Sequence, residues 1–120
     1  MNKITAIIVD DEQDSRETLR NYLEKYCPQV STLTECANIQ EAQAAILKHQ
    51  PQLVFLDIEM PYLDGYETIS TLESKPRIII VSSHLEYETD ELKIDVKKYV
   101  RKPLEGPDQL EQIVKEVMAS

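Results

Sequence analysis

The chain predicts an α/β domain built on a parallel sheet, and three observations carry that prediction. Apolar runs of four to six residues, rich in Ile and Val, recur at residues 4–9, 53–56 and 78–81, as buried parallel strands do. Segments with helical periodicity separate these runs. The connections between strand and helix patterns are short, which favours successive βα units. The 120 residues suit one domain, residues 1–120, with a single core.

Each element has its own warrant. Residues 4–9 form the first strand and end on Asp10-Asp11. Asp14-Ser15-Arg16-Glu17 has the form of a capping box and is expected to open the first helix. That helix places Leu19, Tyr22, Leu23 and Tyr26 on one face and stops at Pro28. Residues 30–37 form a strand interrupted by polar residues, as at a sheet edge. Asn38 with Glu41 opens a second helix through Ala42, Ile46 and Leu47, ending near His49 before Pro51.

Residues 53–57 form the central strand by apolar density. Pro61, Asp64 and Gly65 make a turn, and a short helix follows through Tyr66, Ile69 and Leu72. Residues 78–81 are the fourth strand, and 86–95 are weakly helical. A short fifth strand covers 99–101. The last helix starts at Asp108 and turns Leu110, Ile113, Val114 and Val117 inward.

Composition narrows the function. A formal charge of -9 argues against nucleic-acid binding by this domain, since phosphate contact needs a basic surface, and against anionic membranes. The first apolar run is too short to span a bilayer and lacks the pattern of a signal peptide. The expected location is the cytoplasm. Cys27 and Cys36 form no CxxC pair and are read as buried or half-buried thiols in a reducing compartment, not as zinc ligands.

Polar groups collect where the strands end. Asp10 and Asp11 follow the first strand, Asp57 closes the third, Ser82 follows the fourth, and Lys102 follows the fifth. Ligands of open parallel sheets bind just beyond the carboxyl ends of the strands. Carboxylates about 5 Å apart repel by roughly 3 kcal/mol at an effective dielectric of ~20, so the cluster is costly unless a cation or a raised pKa relieves it. Hard oxygen donors favour Mg²⁺. A carboxylate beside Mg²⁺ can attack phosphorus, while the metal and a lysine neutralise the transferring oxygens.

The ordered set of residues resembles the receiver domain of bacterial two-component response regulators. The resemblance covers the whole chain and rests on Asp10-Asp11, Asp57-Ile58-Glu59-Met60-Pro61 with Asp64-Gly65, Ser82, and Tyr99 three residues before Lys102-Pro103. It implies a doubly wound, flavodoxin-like sheet of five parallel strands in the order 2-1-3-4-5, with helices on both faces. It further implies that Asp57 is the phosphoacceptor. Asp11, Asp57 and the backbone carbonyl of Glu59 would ligate Mg²⁺ directly, and Asp10 would act mainly through water. Lys102 would pair with the phosphoryl group, Ser82 would hydrogen-bond it, and Tyr99 would swing inward behind Ser82.

The resemblance also implies partners. The phosphodonor would be a histidine kinase or a phosphotransfer protein. The face made by the fourth helix, fifth strand and fifth helix would change its partner affinity and offers a route to a homodimer. Glu59 and His84 occupy positions that influence how long the phosphate survives. Residues 76–87 bear a weaker likeness to receivers that carry LytTR-type DNA-binding domains. Ser83 stands where the family usually has a small residue, and Ile94-Asp95-Val96 replaces a segment that is often Gly-Ala.

Such a domain is a phosphoacceptor that assists its own phosphorylation and dephosphorylation, not an enzyme. Two competing functions remain. A phosphorylation-independent interaction module could keep the same fold, although such degenerate receivers usually lose the acceptor or the lysine. A Mg²⁺-dependent phosphatase of the haloacid-dehalogenase type would want acids two residues apart after the first strand. Here the order is Asp10-Asp11-Glu12.

Overall fold

The computed structural model describes residues 3–56, 76–82, 96–101 and 108–119. Five strands form one sheet: β1 (Ile4–Val9), β2 (Val30–Cys36), β3 (Leu53–Leu56), β4 (Arg77–Ser82) and β5 (Val96–Arg101), in the order β2-β1-β3-β4-β5. Every pairing is parallel. Three helices are described: α1 (Gln13–Tyr26), α2 (Ile39–His49) and α3 (Asp108–Ala119). The segments expected to form the short helix after Gly65 and the weak helix over 86–95 lie outside the described residues.

The sheet divides the core into two layers because alternate residues of a strand face opposite sides. Ile8, Phe55 and Ile79 lie side by side in β1, β3 and β4. They pack in one cluster with Leu19 and Leu23 of α1 and with Leu110 and Val114 of α3. The other row, Val9, Leu56 and Ile80, is buried as well. It faces the side of the sheet opposite that cluster, and Ala42 and Ile46 of α2 are likewise buried outside the cluster. Each fully buried Ile, Leu or Phe contributes about 2 kcal/mol. The all-buried pattern of β3 explains why its sequence does not alternate.

Local chemistry sets the element ends. Helix α1 begins at Gln13, earlier than the Asp14-to-Glu17 capping box suggested, with Glu12 as N-cap and no side-chain cap of its own. The Asp10 carboxylate takes over, accepting the Glu12 N–H at 2.9 Å. Arg16 N–H then donates to the Glu12 carbonyl at 3.1 Å, closing the first turn. Asp14 therefore lies inside the first turn, where a negative charge suits the helix dipole.

Helix α2 opens as expected. Asn38 accepts the Glu41 N–H at 2.9 Å, and Glu41 accepts the Ala37 N–H at 2.5 Å. It ends on Gln50 in the left-handed region (φ 48°), where Ile46 accepts the Gln50 N–H. Strand β5 begins three residues earlier than its apolar pattern indicates, at Val96. Hydrogen bonding to β4 extends it, since Val96 pairs with Ile78 and Lys98 with Ile79. Strand β2 is the edge expected from its polar interruptions. Its register slips opposite Ala6 and Ile7, leaving Leu33 unpaired and 37% exposed.

Candidate functional site

The carboxyl ends of the central strands are level. Val9 pairs with Cys36 on one side and with Leu56 on the other, and Leu56 pairs with Ile80. Asp10 leaves the sheet from this row. Its N–H donates to the Cys36 carbonyl at 3.0 Å, so the first residue past β1 is still tied to β2. Asp10 is only 4% exposed and is the single buried charged residue among those described. Its neighbour Asp11 is exposed. One carboxylate is thus fixed by the fold while the next faces outward.

An arginine braces this segment from the side. Arg16, one turn into α1, donates from Nη1 to the Asp10 carbonyl at 2.6 Å. Its Nε lies 3.6 Å from Glu35 Oε1 on β2, and Arg20 Nη1 pairs with the other oxygen of Glu35. Arg16 and Glu35 are 16% and 20% exposed, so the pair is largely withdrawn from water. A small open cavity lies beneath, between α1 and the sheet, lined by Ile8, Asp10, Ser15, Leu19, Phe55 and Val81.

Cys36 closes β2 beside the acid pair. Burial, with a further push from Glu41 against a smaller pull from Arg16, raises its thiol to about 11. Burial, aided by Glu111, raises Cys27 to about 11 as well. Both cysteines are free and buried, as the sequence suggested. Protonated thiols of this kind are poor nucleophiles and poor metal ligands.

The structure brings Asp10 and Asp11 together at the end of β1. Ser82 is the last residue of β4 and its backbone pairs with Arg101, the residue before Lys102. Tyr99 pairs with Ile80 in β5. Asp57, Glu59, His84 and Lys102 lie outside the described residues. Among the described residues no group of three His, Cys, Asp or Glu gathers as a metal site. The two carboxylates present fit Mg²⁺ by chemistry, being hard oxygen donors with one open to water.

The sequence reading missed the brace that Arg16 and Glu35 form beside the acid segment, with Arg20 on the outer side of Glu35. Arg16 and Arg20 are four apart on one helix face, which was a signal for a shared partner. Their partner Glu35 sits on a different element, which helix spacing alone does not disclose.

An open α/β domain with acids beyond its sheet is a ligand-binding architecture of the doubly wound class. Comparison sharpens that class. The family model for the response regulator receiver domain matches residues 6–115, and the chain belongs to that family. It is 41% identical over 104 residues to an uncharacterized response regulatory protein of Yersinia pestis, covering 85% of this chain and 43% of that protein. It is 34% identical over 104 residues to the transcriptional regulatory protein BtsR of Escherichia coli K12, again covering 85% and 43%. The chain thus spans less than half the length of these relatives.

Solved structures agree on the fold. The receiver domain of the putative response regulator NarL from Mycobacterium tuberculosis superposes with a TM-score of 0.80 at 20% identity, covering 100% of both chains. The isolated receiver domain of RcsB from Salmonella enterica, solved with a beryllofluoride phosphomimetic, gives 0.81 at 17% identity, covering 99% and 91%. The protein is a receiver domain of a two-component response regulator, a signalling domain with the flavodoxin-like parallel sheet. Among the described residues no helix is long and apolar enough to cross a membrane.

Proposed function

We propose that this domain is a phosphorylation-activated switch that takes a phosphoryl group onto Asp57. The observation that carries the reading is the shared end row of the sheet. Val9 and Leu56 are partners, and the next residues in their two segments are Asp10 and Asp57. Membership of the receiver family supports this reading.

Asp10, Asp11, Asp57 and the Glu59 carbonyl would hold Mg²⁺, which neutralises charge on the phosphoryl oxygens when bound. The Asp57 carboxylate oxygen attacks phosphorus on a phosphohistidine of a kinase or phosphotransfer protein. An O–P bond forms as the donor's N–P bond breaks, and the imidazole leaves with the electron pair. Lys102 pairs with the transferred group and Ser82 donates a hydrogen bond to it. Tyr99 then moves inward behind Ser82, changing partner affinity, including that for a second copy, on the face built around β5. Glu59 and His84 set the lifetime of the acyl phosphate.

Since this chain is less than half of relatives such as BtsR, the switch is read as controlling a transcriptional output carried elsewhere in a longer protein. With its charge of -9, the domain itself does not contact nucleic acid.

Incubation with Mg²⁺ and acetyl phosphate, read by intact mass, tests the proposal. The wild type gains one phosphoryl group, and Asp57→Asn gains none. An unmodified wild type, or an equally modified variant, overturns it.

A further inference from the structure

The segment between β1 and α1 is held at more points than a strand-to-helix turn requires. The N–H of Asp10 goes to the Cys36 carbonyl, and its carboxylate goes to the Glu12 N–H. Its carbonyl accepts from Arg16 at 2.6 Å. The Asp10 carbonyl and the Asp11 N–H belong to one planar peptide unit. Fixing the carbonyl therefore fixes the direction in which the chain leaves toward Asp11, whose side chain is exposed.

Arg16 is itself fixed. Glu35 on β2 takes one side of the guanidinium, and Arg20 holds the second Glu35 oxygen. Glu35 pairs in the sheet with Ile8, two residues before Asp10. The guanidinium thus spans three elements: the acid segment, the first turn of α1 and the edge strand. A lysine ammonium lacks the separated, coplanar N–H groups needed to meet a carbonyl and a carboxylate at once.

We propose that Arg16 is a positioning residue that sets the aim of Asp11 for a divalent cation, with Glu35 as its anchor. This rests on the reading that Asp10 and Asp11 hold Mg²⁺. Arg20 supplies the internal control. It shares the anchor and contributes an ion pair between α1 and β2, whereas Arg16 also donates to the Asp10 carbonyl in the acid segment. A role confined to helix–strand packing would make the two arginines equivalent.

The test is a calorimetric Mg²⁺ titration of wild type, Arg16→Ala, Arg16→Lys and Arg20→Ala. It is paired with amide hydrogen exchange at Asp11 and Glu12 in metal-free protein. Arg16→Ala is expected to weaken Mg²⁺ binding by about ten- to a hundredfold, as loss of an outer partner does at metal sites. It is also expected to speed exchange at Glu12, whose N–H depends on the Asp10 carboxylate. Arg16→Lys recovers part of both losses, and Arg20→Ala stays close to wild type in both.

Equal weakening by Arg16→Ala and Arg20→Ala overturns the inference, as does wild-type Mg²⁺ affinity in Arg16→Ala. If Arg16→Ala does not fold, Arg16→Lys against Arg20→Ala decides by the same two readouts. A wild-type chain that binds no Mg²⁺ fails before any variant is compared. That result removes the metal reading itself and the inference with it.

Discussion

Raising the pH should destabilise this domain through its two buried thiols, and the size of the effect follows from the structure. Cys27 is 0% exposed and Cys36 is 2% exposed. Burial holds both thiols protonated up to about 11, against an ordinary value of 9.0. Below pH 9 the folded and unfolded chains carry the same protons on these groups, and the stabilisation is fully present. Above it the unfolded chain releases protons that the folded chain keeps. Stability then falls with rising pH until the folded thiols ionise near 11. At about 1.4 kcal/mol per pH unit, a window of roughly two pH units on each thiol is worth about 5 kcal/mol for the pair. That is comparable to the whole stability of a typical small domain, about 5–15 kcal/mol. Urea unfolding between pH 8 and 11, under reducing conditions, measures it. The comparison is with Cys27→Ala/Cys36→Ala, which isolates the contribution of the two thiols. The double variant starts less stable because it leaves small cavities, but its stability falls less steeply with pH. Parallel pH profiles for the two proteins would refute the reasoning. So would rapid alkylation of the folded wild type at pH 9.

Two further outcomes follow from the site and its supports. Asn38→Ala removes the acceptor for the Glu41 N–H and should cost about 1 kcal/mol, while Asn38→Gly costs only a few tenths, both read by urea unfolding; the reverse order would discard Asn38 as a working cap. Mg²⁺ at a hundredfold excess over its Kd should stabilise the wild type by about 2.7 kcal/mol but leave Asp11→Asn unchanged, measured as a shift in unfolding midpoint. An equal shift in both would place the cation away from Asp11.

What could be read in the chain, and what could not, divides along a physical line. Strands β1, β3 and β4 announced themselves because burial on both faces forces unbroken apolar runs, and such runs need no partner to be recognised. Asn38 was legible for a similar reason: its acceptor and the N–H it caps are three residues apart. The acid pair was legible as composition at a strand end, yet its geometry was not. Asp10 is held by Cys36, Glu12 and Arg16, so its fixed position is set jointly by β2 and α1. The start of α1 was misjudged for the same reason, since its N-cap is Glu12, whose N–H is held by Asp10, and not the nearby Asp14. The early start of β5 likewise depends on pairing with β4, not on its own apolar content. Local signals therefore located the carboxylates, while long-range contacts decide how they are aimed. Under the proposed phosphoryl transfer, a cation held at Asp11 makes aim matter as much as identity. Arg16, which would supply that aim, lies on a helix whose apolar face stands out first, and its i,i+4 spacing from Arg20 does not by itself reveal Glu35 on β2.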